Sequence, residues 1–163
     1  MLSKPDCGWV YFQLENTGVY GLSYLDDIAF EWLEQAIHCL KTFSPFCVKG
    51  FMEPNRFLCV VSYWNCHIIV EDDEREELNK DSIFYEYSHT NMLEFCKALY
   101  KDINENFEEF VHFVCYTVYD DEEDDDYEKD IEEKRIELIE KLKELNKLIQ
   151  ERKEAFGNNC CFL

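Results

Sequence analysis

The sequence predicts an α+β fold: a mainly antiparallel sheet of 5–6 strands packed by two amphipathic helices, plus a long C-terminal charged helix. Three observations lead there. Short runs of β-branched and aromatic residues, separated by turn residues, fill much of the first 90 positions. Two segments within residues 1–119 carry apolar side chains at helical spacing. From Tyr127 to Phe156 the chain turns to Glu, Lys, Leu and Ile, with apolar residues three and four apart.

Taken in order, Trp9 to Leu14 is a run of β-formers, Asn16-Thr17-Gly18 a turn signal, and Val19 to Tyr24 the returning strand of a hairpin. Asp26 or Asp27 caps the next helix, because a carboxylate there accepts from backbone N–H groups that have no partner within the helix. Ile28, Trp32, Leu33, Ala36, Ile37 and Leu40 form its apolar stripe, and Ser44-Pro45 ends it. Cys47 to Met52 reads as a strand and Glu53-Pro54-Asn55 as a turn. Arg56 to Trp64 is almost continuously apolar, the pattern of a central strand. Cys66 to Val70 follows as a further strand, Glu71 to Lys80 as a charged loop, and Ile83 to Tyr87 as the last strand. From Thr90 or Asn91 onward Met92, Cys96, Leu99, Ile103, Phe107, Phe110 and Val114 keep the 3.6-residue period, which predicts one long helix reaching Val118. Its apolar face is expected to cover one face of the sheet, since a sheet must bury that face against something.

The organisation that results is a globular α+β domain over residues 1–119, an acidic linker over 120–127, a helix over 128–156 and a tail over 157–163. In the C-terminal helix Ile131, Leu138, Leu142, Leu145 and Ile149 form a seam, which Arg135 and Arg152 interrupt. Asp130 and Lys134, and Glu137 and Lys141, are i,i+4 pairs worth roughly 0.2–0.5 kcal/mol each. Two destinations for that seam stay open: a homodimer through 128–156, or packing back onto the chain's own domain.

The formal net charge is −20. Residues 1–119 hold 20 Asp/Glu against 8 Lys/Arg and residues 120–163 hold 16 against 8, so the parts carry −12 and −8 and the globular domain is itself acidic. Hydrophobic residues at 47% and aromatics at 16% exclude a disordered acidic chain, which lacks the apolar area to offset its own entropy. Such a field repels nucleic acid and anionic membranes and attracts basic proteins. The nine cysteines are odd in number, several fill apolar positions, and the N-terminus has no apolar signal core, so free thiols in a cytoplasmic protein are expected. No apolar run approaches the roughly 18–20 residues that span a bilayer.

Chemical motifs are sparse. Cys59, Cys66 and His67, with Cys47 nearby, are zinc-ligand types and also a Cys–His nucleophile combination. Their spacing is irregular and they sit inside apolar strands, so buried thiols and a half-exposed histidine are the better reading. His38, His89 and His112 are scattered, and there is no HExxH, no GxSxG and no glycine-rich phosphate loop. No catalytic residue, metal site or cofactor is assigned. Cys160-Cys161-Phe162-Leu163 has the outline of a prenylation box, but Cys161 is not aliphatic and no polybasic segment precedes it.

The charged candidates are two clusters. One is Asp72, Asp73 and Glu74, flanked by Glu71, Glu76 and Glu77; the other is the unbroken run Asp120, Asp121, Glu122, Glu123, Asp124, Asp125 and Asp126. The simplest role for the run is a solvated linker. Dense carboxylates on a folded body also imitate phosphate spacing and cover basic grooves.

Gly8-Trp9, then Ser23-Tyr24-Leu25 with Asp27 leading into an amphipathic helix, then Glu53-Pro54 before a strand, resemble a diffuse group of small bacterial proteins with a hairpin, a helix and further strands. The resemblance covers roughly residues 8 to 70. Some proteins of this size, acidity and α+β build are immunity proteins of polymorphic or contact-dependent toxins. The resemblance implies that class and no target; joined to the acidity, it leads to the expectation of an acidic inhibitor that occludes a basic partner, a toxin nuclease above all. Two alternatives stand beside it: a phage-encoded nucleic-acid mimic inhibiting a defence nuclease, in the manner of anti-CRISPR proteins, and a structural adaptor dimerising through 128–156.

Overall fold

Short connections between β-forming runs favour antiparallel pairing of sequence neighbours, and every strand pair here obeys that preference. A computed structural model of the chain describes residues 1–72, 83–113 and 124–157. β1 (Trp9–Phe12) and β2 (Tyr20–Ser23) form a hairpin, with Val10 opposite Leu22 and Phe12 opposite Tyr20. β3 (Phe46–Phe51), β4 (Arg56–Val61), β5 (Cys66–Glu71) and β6 (Ile83–Ser88) form a separate sheet in the order β3-β4-β5-β6.

The expected single sheet of 5–6 strands is therefore corrected to a four-stranded sheet and a two-stranded one. The cause is where the hairpin buries its apolar side chains. Phe12 lies edge-on to Phe57 of β4 with ring centres 5.1 Å apart, and Tyr20 lies 5.4 Å from the same ring. Leu22 rests on Gly50 of β3, where a Cβ would stand 3.3 Å from the leucine Cδ2. The hairpin thus crosses the face of the sheet and does not extend its edge. At its turn the Gly18 N–H (2.8 Å) and the Tyr20 hydroxyl both donate to Glu86 Oε2 of β6.

α1 (Ile28–Thr42) starts at Asp27, whose side chain accepts from the Phe30 N–H. Trp32 Nε1 donates to the Lys49 carbonyl at 2.8 Å, tying the start of α1 to the end of β3. α2 (Met92–Glu105) opens with a capping box: Asn91 accepts from the Glu94 N–H and Glu94 accepts from the Asn91 N–H. The long helix expected to reach Val118 breaks at Asn106. There the Asn106 backbone N–H (3.2 Å) and its side-chain amide (2.9 Å) both donate to the Asp102 carbonyl, and the backbone leaves helical geometry. The short α3 (Phe107–Val111) follows, and residues 114–118 of the expected helix lie outside the described residues.

α4 (Asp124–Gly157) packs on α1 and α2, so the described elements form three layers: the sheet, then α1 and α2 with the hairpin, then α4. Ile131, Leu138, Leu142, Leu145 and Ile149, the seam read from the sequence, are buried there with Leu148. The two arginines that spoil the heptad are docking residues. Arg135 reaches Glu108 of α3 at 2.7 Å, and Arg152 donates to the Leu40 carbonyl at 2.8 Å while lying 4.2 Å over the Phe43 ring. Lys134 pairs with Asp27 and Lys141 with Glu34, each at 2.7 Å, and both ammonium groups lie against Phe30. Among the described residues no helix is long and apolar enough to cross a membrane.

If the seam is internal, Leu145→Ala should lower the unfolding free energy by about 2–5 kcal/mol. Ile136→Ala, at a position 52% exposed on the same helix, should cost far less. Urea unfolding of the two variants decides, and equal small losses would refute this docking of α4.

Candidate functional site

An antiparallel sheet with one covered face ordinarily alternates apolar inward and polar outward residues. Here the inner face is mostly apolar and covered: Phe46, Val48, Phe57, Cys59, Val61, Cys66 and Ile68 are all buried, and only toward β6 does it open, at Phe84. The outer face breaks the rule. Its three cross-strand rows are Phe51-Arg56-Glu71-Ile83, Lys49-Leu58-Ile69-Tyr85 and Cys47-Val60-His67-Tyr87. Eight of these twelve residues are apolar or aromatic, and none is buried. Tyr85 is 51% exposed, Tyr87 67% and Phe51 39%. Contiguous apolar surface of this kind marks an interaction site more often than isolated exposed side chains do.

His67 sits within the patch. Its ring stacks on Tyr87 at 4.3 Å with an 8° interplanar angle and on Tyr85 at 5.5 Å. Its Nε2 is buried beneath them and has no hydrogen-bond partner among the described residues. A buried polar atom left unpaired costs about 1–3 kcal/mol. An apolar residue would serve packing better at that place, so stability alone does not account for the histidine.

The rim of the patch is charged at one end. A cavity of about 410 Å³ opens where β3 ends and β5 ends, lined by Asp26, Lys49, Phe51, Arg56, Leu58 and Glu71 among others. Burial holds the Asp26 carboxyl above the usual carboxylate range, with Lys49 opposing. Glu31 is raised too, by burial first and then by Asp26.

This end also gathers the described members of the two acidic clusters. Asp72 follows directly on β5, beside Glu71, which stands opposite Arg56. Asp124, Asp125 and Asp126 open α4, eight to ten residues before Lys134, about 12–15 Å of helix beyond the pairing of Lys134 with Asp27 at the start of α1. Since α1 begins where β3 ends, both clusters point to one pole of the fold. Asp73, Glu74, Asp120, Asp121, Glu122 and Glu123 lie outside the described residues.

The cysteine–histidine combination does not assemble. Cys66 and His67 are adjacent on a strand and therefore project from opposite faces, the thiol inward and the imidazole outward. Cys66 donates to the Thr90 carbonyl at 3.3 Å. Contact with Cys66 and burial push the Cys59 thiol well above its ordinary pKa, and contact with Cys39 and burial do the same to Cys96. These two thiols are protonated and poor nucleophiles at neutral pH. Cys39, Cys59, Cys66 and Cys96 are buried and free, and among the described residues no group of three His, Cys, Asp or Glu is arranged to hold a metal.

Sequence reasoning found the charge and missed the patch. The missed residues are Phe51, Leu58, Val60, His67, Ile69, Tyr85 and Tyr87. A signal was present: both parities of Arg56 to Val61 are apolar, yet the two helices and the hairpin supply cover for one face only. No protein-family model, curated protein or solved structure matches the chain.

Two outcomes follow. His67→Phe keeps an aromatic ring in the stack and removes the unpaired nitrogen, so the unfolding free energy should rise by roughly 1–3 kcal/mol; a fall would mean that Nε2 has a partner. For Asp26 the folded pKa is raised, so the folded state holds the extra proton and stability declines as pH rises through the folded value. Asp26→Asn should therefore stabilise at neutral pH, with a gain that shrinks as pH falls through the carboxylate range. Exposed Glu15→Gln controls for the relief of net charge, and a pH-independent gain equal to that control would contradict the shift.

Proposed function

We propose that this chain is an acidic binding protein that occludes a basic partner protein through the open face of its sheet, with the immunity protein of a toxin nuclease as the concrete form. The observation that carries the reading is the apolar outward row of the two central strands, Leu58, Val60 and Ile69, beside the exposed Tyr85 and Tyr87. Interfaces of standard affinity have this composition: aromatic anchors at the centre and charge at the rim. The net charge of −20 selects the sign of the partner. Asp72, Asp73 and Glu74 and the run 120–126 act as the steering charges. They raise the encounter rate with a basic surface, while the aromatic centre sets how long the complex lasts. No cofactor, catalytic residue, nucleic acid or membrane enters this reading. It also applies to a defence nuclease as the basic partner.

The test begins with capture on the immobilised full chain from a native lysate, eluted by a salt gradient, followed by kinetics with the purified partner. Tyr85→Ala with Tyr87→Ala should raise the dissociation rate about tenfold or more, with little change in association. Neutralising 120–126 to Asn and Gln should do the reverse, slowing association and flattening its salt dependence. Unchanged dissociation of the tyrosine variant would remove the sheet face from the interface. Unchanged association at low salt would reduce the run to a linker.

A further inference from the structure

We infer that β6 is an open docking edge, to which an extended basic segment of the partner adds as a fifth strand; this deepens the reading above and rests on it. β6 pairs with β5 alone, so among the described residues the main-chain groups along its other side have no strand opposite them. Proteins normally blunt such an edge with lysine, proline, a bulge, an inward-pointing charge or a covering element. The two ends of this sheet differ in that respect. β3, at the far edge, carries exposed Lys49 and also Gly50, on which Leu22 of the hairpin rests. β6 reads Ile-Phe-Tyr-Glu-Tyr-Ser, with no lysine, proline or glycine and unbroken one-to-one register with β5 over its six residues.

Its one charge points inward, a device that can itself guard an edge, but here that carboxylate is committed to the hairpin turn. Glu86 projects inward, where it accepts from Gly18 and Tyr20, leaving Phe84, Tyr85 and Tyr87 as the exposed side chains. An added strand would prolong the rows that end at Tyr85 and Tyr87, so its outward side chains would lie beside those tyrosines. Charge selects the occupant. Glu71 lies opposite Ile83, the first residue of β6, with Asp72 next in the chain, and residues 73–82 carry five acids against two bases. A second copy would bring −20 against −20; a cationic strand meets complementary charge.

The probe is a capped peptide of about ten residues alternating Lys and Val, alongside the same peptide N-methylated at alternate residues so that one edge cannot donate. Binding is measured at low and physiological salt, and amide hydrogen exchange is followed across 83–88 of the full chain. The expected result is slowed exchange at alternate β6 amides, with the methylated peptide bound at least about tenfold more weakly. Equal binding of both peptides without β6 protection would overturn strand addition and leave recognition of basic partners standing. If neither peptide binds even at low salt, both are overturned. Protection of the same amides without peptide, together with concentration-dependent dimerisation, would make a second copy the occupant and overturn the inference.

Discussion

Phe12 is the point on which the described structure converges. Its ring meets Trp32 of α1 at 5.4 Å, Phe57 of β4 at 5.1 Å and Phe95 of α2 at 6.3 Å, so one side chain joins the hairpin, both covering helices and the sheet. Phe95 in turn stands edge-on to Phe46 of β3 at 5.6 Å. Such ring pairs add about 0.5–1.5 kcal/mol each beyond the area they bury. They also fix geometry: Trp32 can donate to the Lys49 carbonyl only while its indole lies in this cluster. With the hairpin, α1 and α2 all drawn to one side, the described elements leave the other side of the sheet bare. The open face follows from where the aromatic residues meet.

That geometry resolves an apparent contradiction in the charges. A chain at −20 repels itself, and its sixteen cations are the natural counterweight. Four of those in the C-terminal segment are committed within the fold: Lys134 to Asp27, Arg135 to Glu108, Lys141 to Glu34 and Arg152 to the Leu40 carbonyl. Lys134 and Lys141 are also largely covered. The first three of the four contacts neutralise carboxylates of α1, its cap and α3, on the layer away from the open sheet face. The cations of α4 thus fasten that helix to the rest of the fold, and the chain as a whole stays strongly acidic.

Much of this was legible in the sequence. The α1 stripe, its cap at Asp27 and the order of strands follow from local period and turn chemistry, which act over a few residues. The seam of α4 was legible as well, and the long-range contacts decide what it meets: Arg135 and Arg152 look like heptad faults until Glu108, Phe43 and Leu40 are seen beneath them. The break at Asn106 escaped because the apolar period runs through it, while the backbone there leaves helical geometry and the Asn106 side chain folds back on the Asp102 carbonyl. The division into two sheets escaped because strand propensity does not tell an edge from a face. Leu22 on Gly50 settles that, and it is a contact between residues 28 apart.

The same limit explains why the candidate site was half visible. Charge sums over sequence, so the acidic clusters stand out before any fold is known. An outward apolar row does not, because Leu58, Val60 and Ile69 look like core until cover for both faces is counted. His67 sharpens the point: beside Cys66 in sequence it suggests shared chemistry, and the strand period sends the two to opposite sides of the sheet. What remains of the histidine is a nitrogen with no partner among the described residues, under two exposed tyrosines at the centre of the surface proposed for binding. Cores are selected for packing and interfaces for recognition. A buried polar atom that packing alone would have replaced is therefore an argument for recognition, independent of the charge.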